Sequence, residues 1–198
     1  MNFLKEIQLQ LQRLNDSRHE FQVMDFLLPT ENQNALLINQ EGENLDIAIC
    51  LSSALLDKFQ AKKYPIDFNV ESFSELSVII EELSHFNLFC ENAMRNQETS
   101  ALELELQGEV DKFGFALECL HAQQEQALED VVFGVLFDEL KLGDWVKEQD
   151  RGRYIQAHET ARAFCRKVMK NTEDIKKRRE LFKTFFHSSF TKKINLSS

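Results

Sequence analysis

Proline and glycine are scarce in this chain, two and six among 198 residues. An all-β sandwich or barrel announces itself by turn residues at roughly 8–12-residue spacing, and that supply is missing. Cysteine is equally sparse. Cys50, Cys90, Cys119 and Cys165 stand far apart with no Cys-x-x-Cys pair, which argues against a zinc knuckle, a thioredoxin-like motif or a disulfide framework. They read as reduced, small hydrophobes. One tryptophan and two tyrosines face seventeen phenylalanines, so the core is built from a ring without a polar handle, a choice that favours packing over recognition. No apolar run reaches spanning length, and the opening Met1-Asn-Phe-Leu-Lys-Glu-Ile-Gln lacks a signal-peptide core. Neither secretion nor membrane insertion is expected, and a cytoplasmic protein is. Phosphate-cradling glycine loops, a Gly-x-Ser-x-Gly elbow and the kinase motifs are missing too, which weakens the common enzyme classes.

What is present is charge and apolar bulk: 28% charged and 43% hydrophobic residues, enough to fill the core of one ordinary domain without disulfides. The net charge of −10 is unevenly spread. Residues 1–150 hold 10 Lys/Arg against 29 Asp/Glu, whereas residues 151–198 hold 13 against 4. An acidic body repels phosphate backbones, so nucleic-acid binding is expected only through the basic tail, if anywhere.

Periodicity assigns most of the chain to helix. Phe3, Ile7, Leu11 and Leu14 share one helical face. Phe21, Val23 and the residues to Phe26 alternate as in a strand. Ala35–Ile38 and Leu45–Cys50 flank a short loop with Gly42, which predicts a β-hairpin. A short helix over 52–61 precedes the connector around Pro65. Ser72 with Glu75 and Ser100 with Glu103 form two Ser-x-x-Glu capping boxes, each ahead of a long apolar helical repeat. These predict helices to about Arg95 and about Gln124, antiparallel because the turn between them is short. A third helix runs from Leu128 toward a stop at Gly143, a fourth covers 149–170, and a fifth, capped by Thr172, runs to Phe186. The expected architecture is mainly α: a bundle of about five helices over 66–198, with a small N-terminal α/β piece containing the hairpin over 1–65.

Two Glu-x-x-His elements, Glu82–His85 and Glu118–His121, each place a carboxylate and an imidazole on one helical face. The spacing resembles that of ferritin-like di-iron proteins, which use the element twice in a bundle core. Helical rise, however, separates His85 from His121 by roughly 18 Å along the hairpin, too far for two halves of one dinuclear centre. The same rise sets His85 opposite Glu109, with Glu105 one turn away. Glu82, His85, Glu105 and Glu109 are therefore the candidate metal or acid/base cluster; no cofactor is expected from the sequence, though the cluster could accept a divalent metal. The structural alternative is a half-buried histidine satisfied by a neighbouring carboxylate or by Ser84.

Arg153-Tyr-Ile-Gln-Ala-His158 resembles the Arg-x4-His element of HEPN-type helical ribonucleases, in which the cation would hold a phosphate and the histidine move a proton. Packing of His158 on a helical face is its structural alternative. Finally, Lys176, Lys177, Arg178 and Arg179 are interleaved with Phe182 and Phe186 in the basic tail. Such a helix suits a protein partner, self-association or an anionic surface; alternatively its rings cover the bundle and its charges face the acidic body. On sequence alone a non-enzymatic interaction or regulatory protein leads, followed by a metal-binding helical protein and then a HEPN-like ribonuclease.

Overall fold

The structure is a computed structural model, and it describes residues 2–42, 44–60, 70–138, 146–171 and 174–198. Among these residues nine α-helices and one three-stranded sheet follow each other in the order α1 (Asn2–Asn15), α2 (Val23–Phe26), β1 (Leu27–Thr30), β2 (Ala35–Glu41), β3 (Asn44–Ser52), α3 (Ser53–Gln60), α4 (Val70–Met94), α5 (Ala101–Gln123), a single 3-10 turn (Gln126–Leu128), α6 (Glu129–Phe137), α7 (Glu148–Asn171), α8 (Ile175–Phe186) and α9 (Phe190–Ser197). The chain is mainly α with a small α/β piece near its N-terminus, as its composition requires. The helices outnumber the expected five because α1, α2 and α3 belong to the N-terminal piece and α9 extends the tail.

The hairpin forms as the alternation around Gly42 predicts. β2 and β3 pair antiparallel from Ala35↔Cys50 to Glu41↔Asn44, and Gly42 takes a positive φ of 63° at the turn. The alternating run Phe21–Phe26 is not a strand: Val23–Phe26 forms one helical turn, and Val23 is held through its amide, which donates to the Gln8 side chain at 2.9 Å. The strand lies just beyond it, β1, pairing parallel to β3 with Leu27↔Ile49, so that β3 is central in the order β1-β3-β2.

α5 is the axis of the bundle. Residues Val110 to Leu117 are buried without interruption, which an amphipathic surface helix cannot achieve; such a helix needs neighbours on every side. Its start matches expectation, since the Ser100 hydroxyl accepts from the Glu103 amide at 3.1 Å. Ser72, by contrast, lies inside α4, which already begins at Val70. Between α4 and α5, Asn96 takes a left-handed conformation (φ 52°) that ends the first helix, and Asn92 Nδ2 donates to Thr99 Oγ1 at 3.0 Å across the turn. The two helices then run antiparallel in a register pinned by buried Asp111, which accepts from Ser84 Oγ at 2.6 Å and from Asn15 Nδ2 at 3.0 Å. Asp111 thereby ties α1, α4 and α5 at one level.

One continuous core includes Leu4, Ile7 and Leu11 from α1, Ile49 and Leu51 from β3, and the inner faces of α4 to α8. The expected division near residue 65, the stop at Gly143 and the Thr172 cap fall outside the described residues. Asp174 is the cap of α8: its side chain accepts from the Lys176 amide at 2.9 Å.

Candidate metal centre

The antiparallel register of α4 and α5 brings His85 against the first half of α5. Glu81 and His85 stand four residues apart on one face of α4, and Glu105 faces them from α5. One potential ligand atom from each of Glu81, His85 and Glu105 lies within 4.8 Å of the other two. His85 is buried, 8% exposed, and its Nε2 has no hydrogen-bond partner. Its other ring nitrogen, Nδ1, is 3.7 Å from Glu82 Oε2. Glu82 thus stands beside Nδ1 and outside the group formed by Glu81, His85 and Glu105, and its buried Oε2 has no hydrogen-bond partner either.

Close packing at this level depends on Gly108. A Cβ on that residue would lie 3.0 Å from His85 Nε2 and 3.2 Å from Glu81 Cγ. Beside the three side chains is a cavity of about 230 Å³, lined by the start of β2 (Ala35, Leu36), by α4 and α5, and by Tyr154 of α7. Tyr154 hydrogen-bonds to Glu105, and Arg153 Nη2 lies 3.8 Å from Glu105 Oε1.

Electrostatics at the centre follow from burial and crowding of acids. Burial alone would hold the His85 imidazole below its ordinary value, yet the carboxylates of Glu82, Glu81 and Glu105 outweigh it and raise it to about 9. Burial pushes the Glu105 carboxyl above its usual range, with His85 pulling the other way. In the absence of a metal a proton on His85 supplies positive charge among these acids.

Glu109 does not join this group. Its Oε1 accepts from Lys112 Nζ at 2.6 Å, its Oε2 lies 3.5 Å from His158 Nδ1, and these partners outweigh burial to hold its carboxyl down at about 2. Of the four residues expected from the sequence, then, His85 and Glu105 are brought together, Glu82 lies 3.7 Å from Nδ1 of His85 outside their group, and Glu109 belongs to a neighbouring ion-pair network. Glu81 and Tyr154 went unread. The i, i+4 spacing makes Glu81 a candidate alongside Glu82, since such a pair shares a helical face as surely as an i, i+3 pair does, without choosing between them. The second Glu-x-x-His element is dispersed: Glu118 pairs with Arg179, and His121 Nδ1 lies 3.2 Å from Gln126 Nε2.

His158 is buried, packs on the Phe137 ring with centroids 5.5 Å apart and sets Nε2 3.4 Å from the Phe137 carbonyl oxygen. Arg153, five residues earlier, is engaged with Asp150 and Glu105. In the basic tail, Arg178 is 5% exposed and donates to both Glu129 oxygens at 2.8 Å, while Phe182 and Phe186 are buried. Lys176 and Lys177 are exposed. The tail's rings thus cover the bundle, and its buried charges meet acids of the same chain.

Comparison of the chain with protein-family models, curated proteins and solved structures finds no match to any of them. Among the described residues no helix is long and apolar enough to cross a membrane.

Proposed function

We propose that the protein binds a single divalent transition-metal ion through Glu81, His85 and Glu105. The observation that carries this reading is the gathering of one ligand atom each from Glu81, His85 and Glu105 within 4.8 Å of one another, on a buried histidine whose Nε2 has no hydrogen-bond partner. A buried polar atom left without a partner costs about 1–3 kcal/mol, so such an atom among acids calls for a reason, and an ion supplies one. One imidazole with two carboxylates suits Mn²⁺, Fe²⁺ or Zn²⁺ better than Ca²⁺, which prefers an all-oxygen shell. Three protein ligands leave coordination positions for water or a small oxygen ligand, and the adjoining cavity has room for it.

The test is equilibrium dialysis of metal-free protein against Mn²⁺ and Zn²⁺. The expected result is one ion per chain, lost in His85→Ala while the helical circular dichroism is kept. Failure of the native chain to retain either ion at millimolar concentration sinks the reading.

A further inference from the structure

The three-stranded sheet has two unlike edges. β1, on one side, is four residues long and carries Pro29, which has no N–H to offer a further strand. β2, on the other side, runs for seven residues, Ala35–Glu41, with neither proline nor lysine, and its last five residues are exposed. A two-residue hairpin loop closes on a hydrogen-bonded pair, here Glu41 with Asn44. The alternate residues Leu36, Ile38 and Gln40 therefore turn their N–H and C=O groups away from β3. Among the described residues no strand pairs with them.

Apolar side chains accompany that bare edge. Opposed residues of a ladder share a face, so Ile38 stands beside Ile47, and Gln40 with Leu45 is the next pair on the same face. In the other direction along this face, Ile49 opposite Leu36 is buried in the core. Ile38 and Leu45, 39% and 42% exposed, thus carry an apolar face of the sheet out beyond the core that covers its other end.

We propose that β2 is a self-pairing edge, to which a second copy of this chain adds its own β2 antiparallel about a twofold axis at Ile38, joining the two sheets into one. The strand's own sequence selects a second copy as the occupant. The twofold register sets Ile38 against Ile38 of the second copy, Leu36 against its Gln40 and Ala35 against its Glu41, so that outward backbone groups meet outward groups. On one face, Ile47 and Ile38 of each copy form an unbroken cross-strand row. Charge is arranged to allow it. Residues 1–150 hold 10 Lys/Arg against 29 Asp/Glu, so two copies repel wherever acids meet acids. Glu41 is the single charged residue of β2, and the twofold register sends its two copies to opposite ends of the new ladder, each facing alanine. Seven residues a side is a small contact beside the about 20–30 of a standard interface, so this dimer dissociates on dilution.

The experiment is sedimentation velocity of the full chain from about 10 μM to about 1 mM, with EDTA present so that no metal ion bridges two copies. The expected result is a monomer–dimer equilibrium whose dimer fraction rises with concentration. Ile38→Lys sets two ammonium groups against each other at the axis and should weaken association about tenfold or more. Leu28→Lys, at a leucine of β1 that is 50% exposed, should leave it unchanged. Thermal unfolding within a few degrees of the native chain shows that both variants fold. Under diamide, Ile38→Cys should form a disulfide-linked dimer and Glu41→Cys should not, because only the axial position meets its own copy and the four native cysteines are buried.

A native chain that stays monomeric throughout overturns the proposal. A dimer that Ile38→Lys leaves intact, or that Leu28→Lys weakens as much, also overturns it, since another surface then makes the contact. If Ile38→Lys does not fold, the cysteine pair decides: no linked dimer in Ile38→Cys, or as much in Glu41→Cys, overturns it. A chain that stays monomeric yet binds an extended Lys-Val repeat peptide through Ile38 assigns the edge to another protein's strand and likewise ends the self-pairing reading. None of these outcomes touches the metal site, which involves no second copy.

Discussion

At the scale of single residues, the proposed site turns on whether His85 carries a proton or binds an ion. The folded-state value of about 9 lies above the ordinary 6.5, so in the metal-free protein this group contributes stability that is fully present below about pH 6.5 and is lost as pH rises through 9. On the proposed reading, an ion bound by His85 would compete with protonation of the ring. Affinity for Mn²⁺ should therefore rise about tenfold per pH unit between 6.5 and 9 and level off above, as release of one proton per ion requires. Dialysis at three pH values across that interval gives the slope. His85→Gln, which holds no exchangeable ring proton, should show no such window in its metal-free stability; a flat affinity profile in the native chain would mean that His85 is not a ligand.

At the scale of elements, the centre exists because α4 and α5 approach closely at Gly108. Gly108→Ala keeps every ligand and improves intrinsic helix propensity by up to about 1 kcal/mol, yet its Cβ would press on both Nε2 and the Glu81 chain. The expected outcome is a protein that melts within a few degrees of the native one but binds metal at least tenfold more weakly, as read by dialysis and thermal unfolding. Loss of the fold instead would make Gly108 a packing requirement only.

The same pair of helices shows what sequence can and cannot disclose. Apolar spacing, the Ser100 cap and a short turn were enough to place His85 across from the first half of α5, because helical rise is fixed by backbone geometry. Which of two adjacent acids faces the partner helix was not legible. Glu81 and Glu82 differ by 100° around α4, and the choice depends on crossing geometry set elsewhere, by the buried Ser84–Asp111 contact. Likewise, the alternation of Phe21–Phe26 carries no record of Gln8, whose side chain turns that segment into a helical one. α9 was missed for a related reason. Its short sequence has no long apolar repeat, and it is docked by Lys193, fully buried against Glu103 at 3.1 Å, an ion pair that reads in sequence as a solvated charge.

At the scale of the whole molecule, the opposite charges of body and tail are spent within one chain. Arg178 meets Glu129, Arg179 meets Glu118 and Lys193 meets Glu103, while Phe185 sits 4.2 Å from Phe164. Residues 175–198 are thus part of the core, and a chain ending at residue 171 loses the buried rings of Phe182, Phe185 and Phe186. At roughly 1.5–3 kcal/mol for each buried side chain, the loss is comparable to the whole stability of a typical domain, about 5–15 kcal/mol. The truncated chain should accordingly show no cooperative unfolding transition, whereas Lys176→Glu with Lys177→Glu, both at exposed positions, should melt within a few degrees of the native protein. Urea titration followed by circular dichroism separates the cases. A truncated chain that still unfolds cooperatively would make the basic helix an appendage free to bind a partner, and the exposed Lys176 and Lys177 would then be the residues through which a partner is sought.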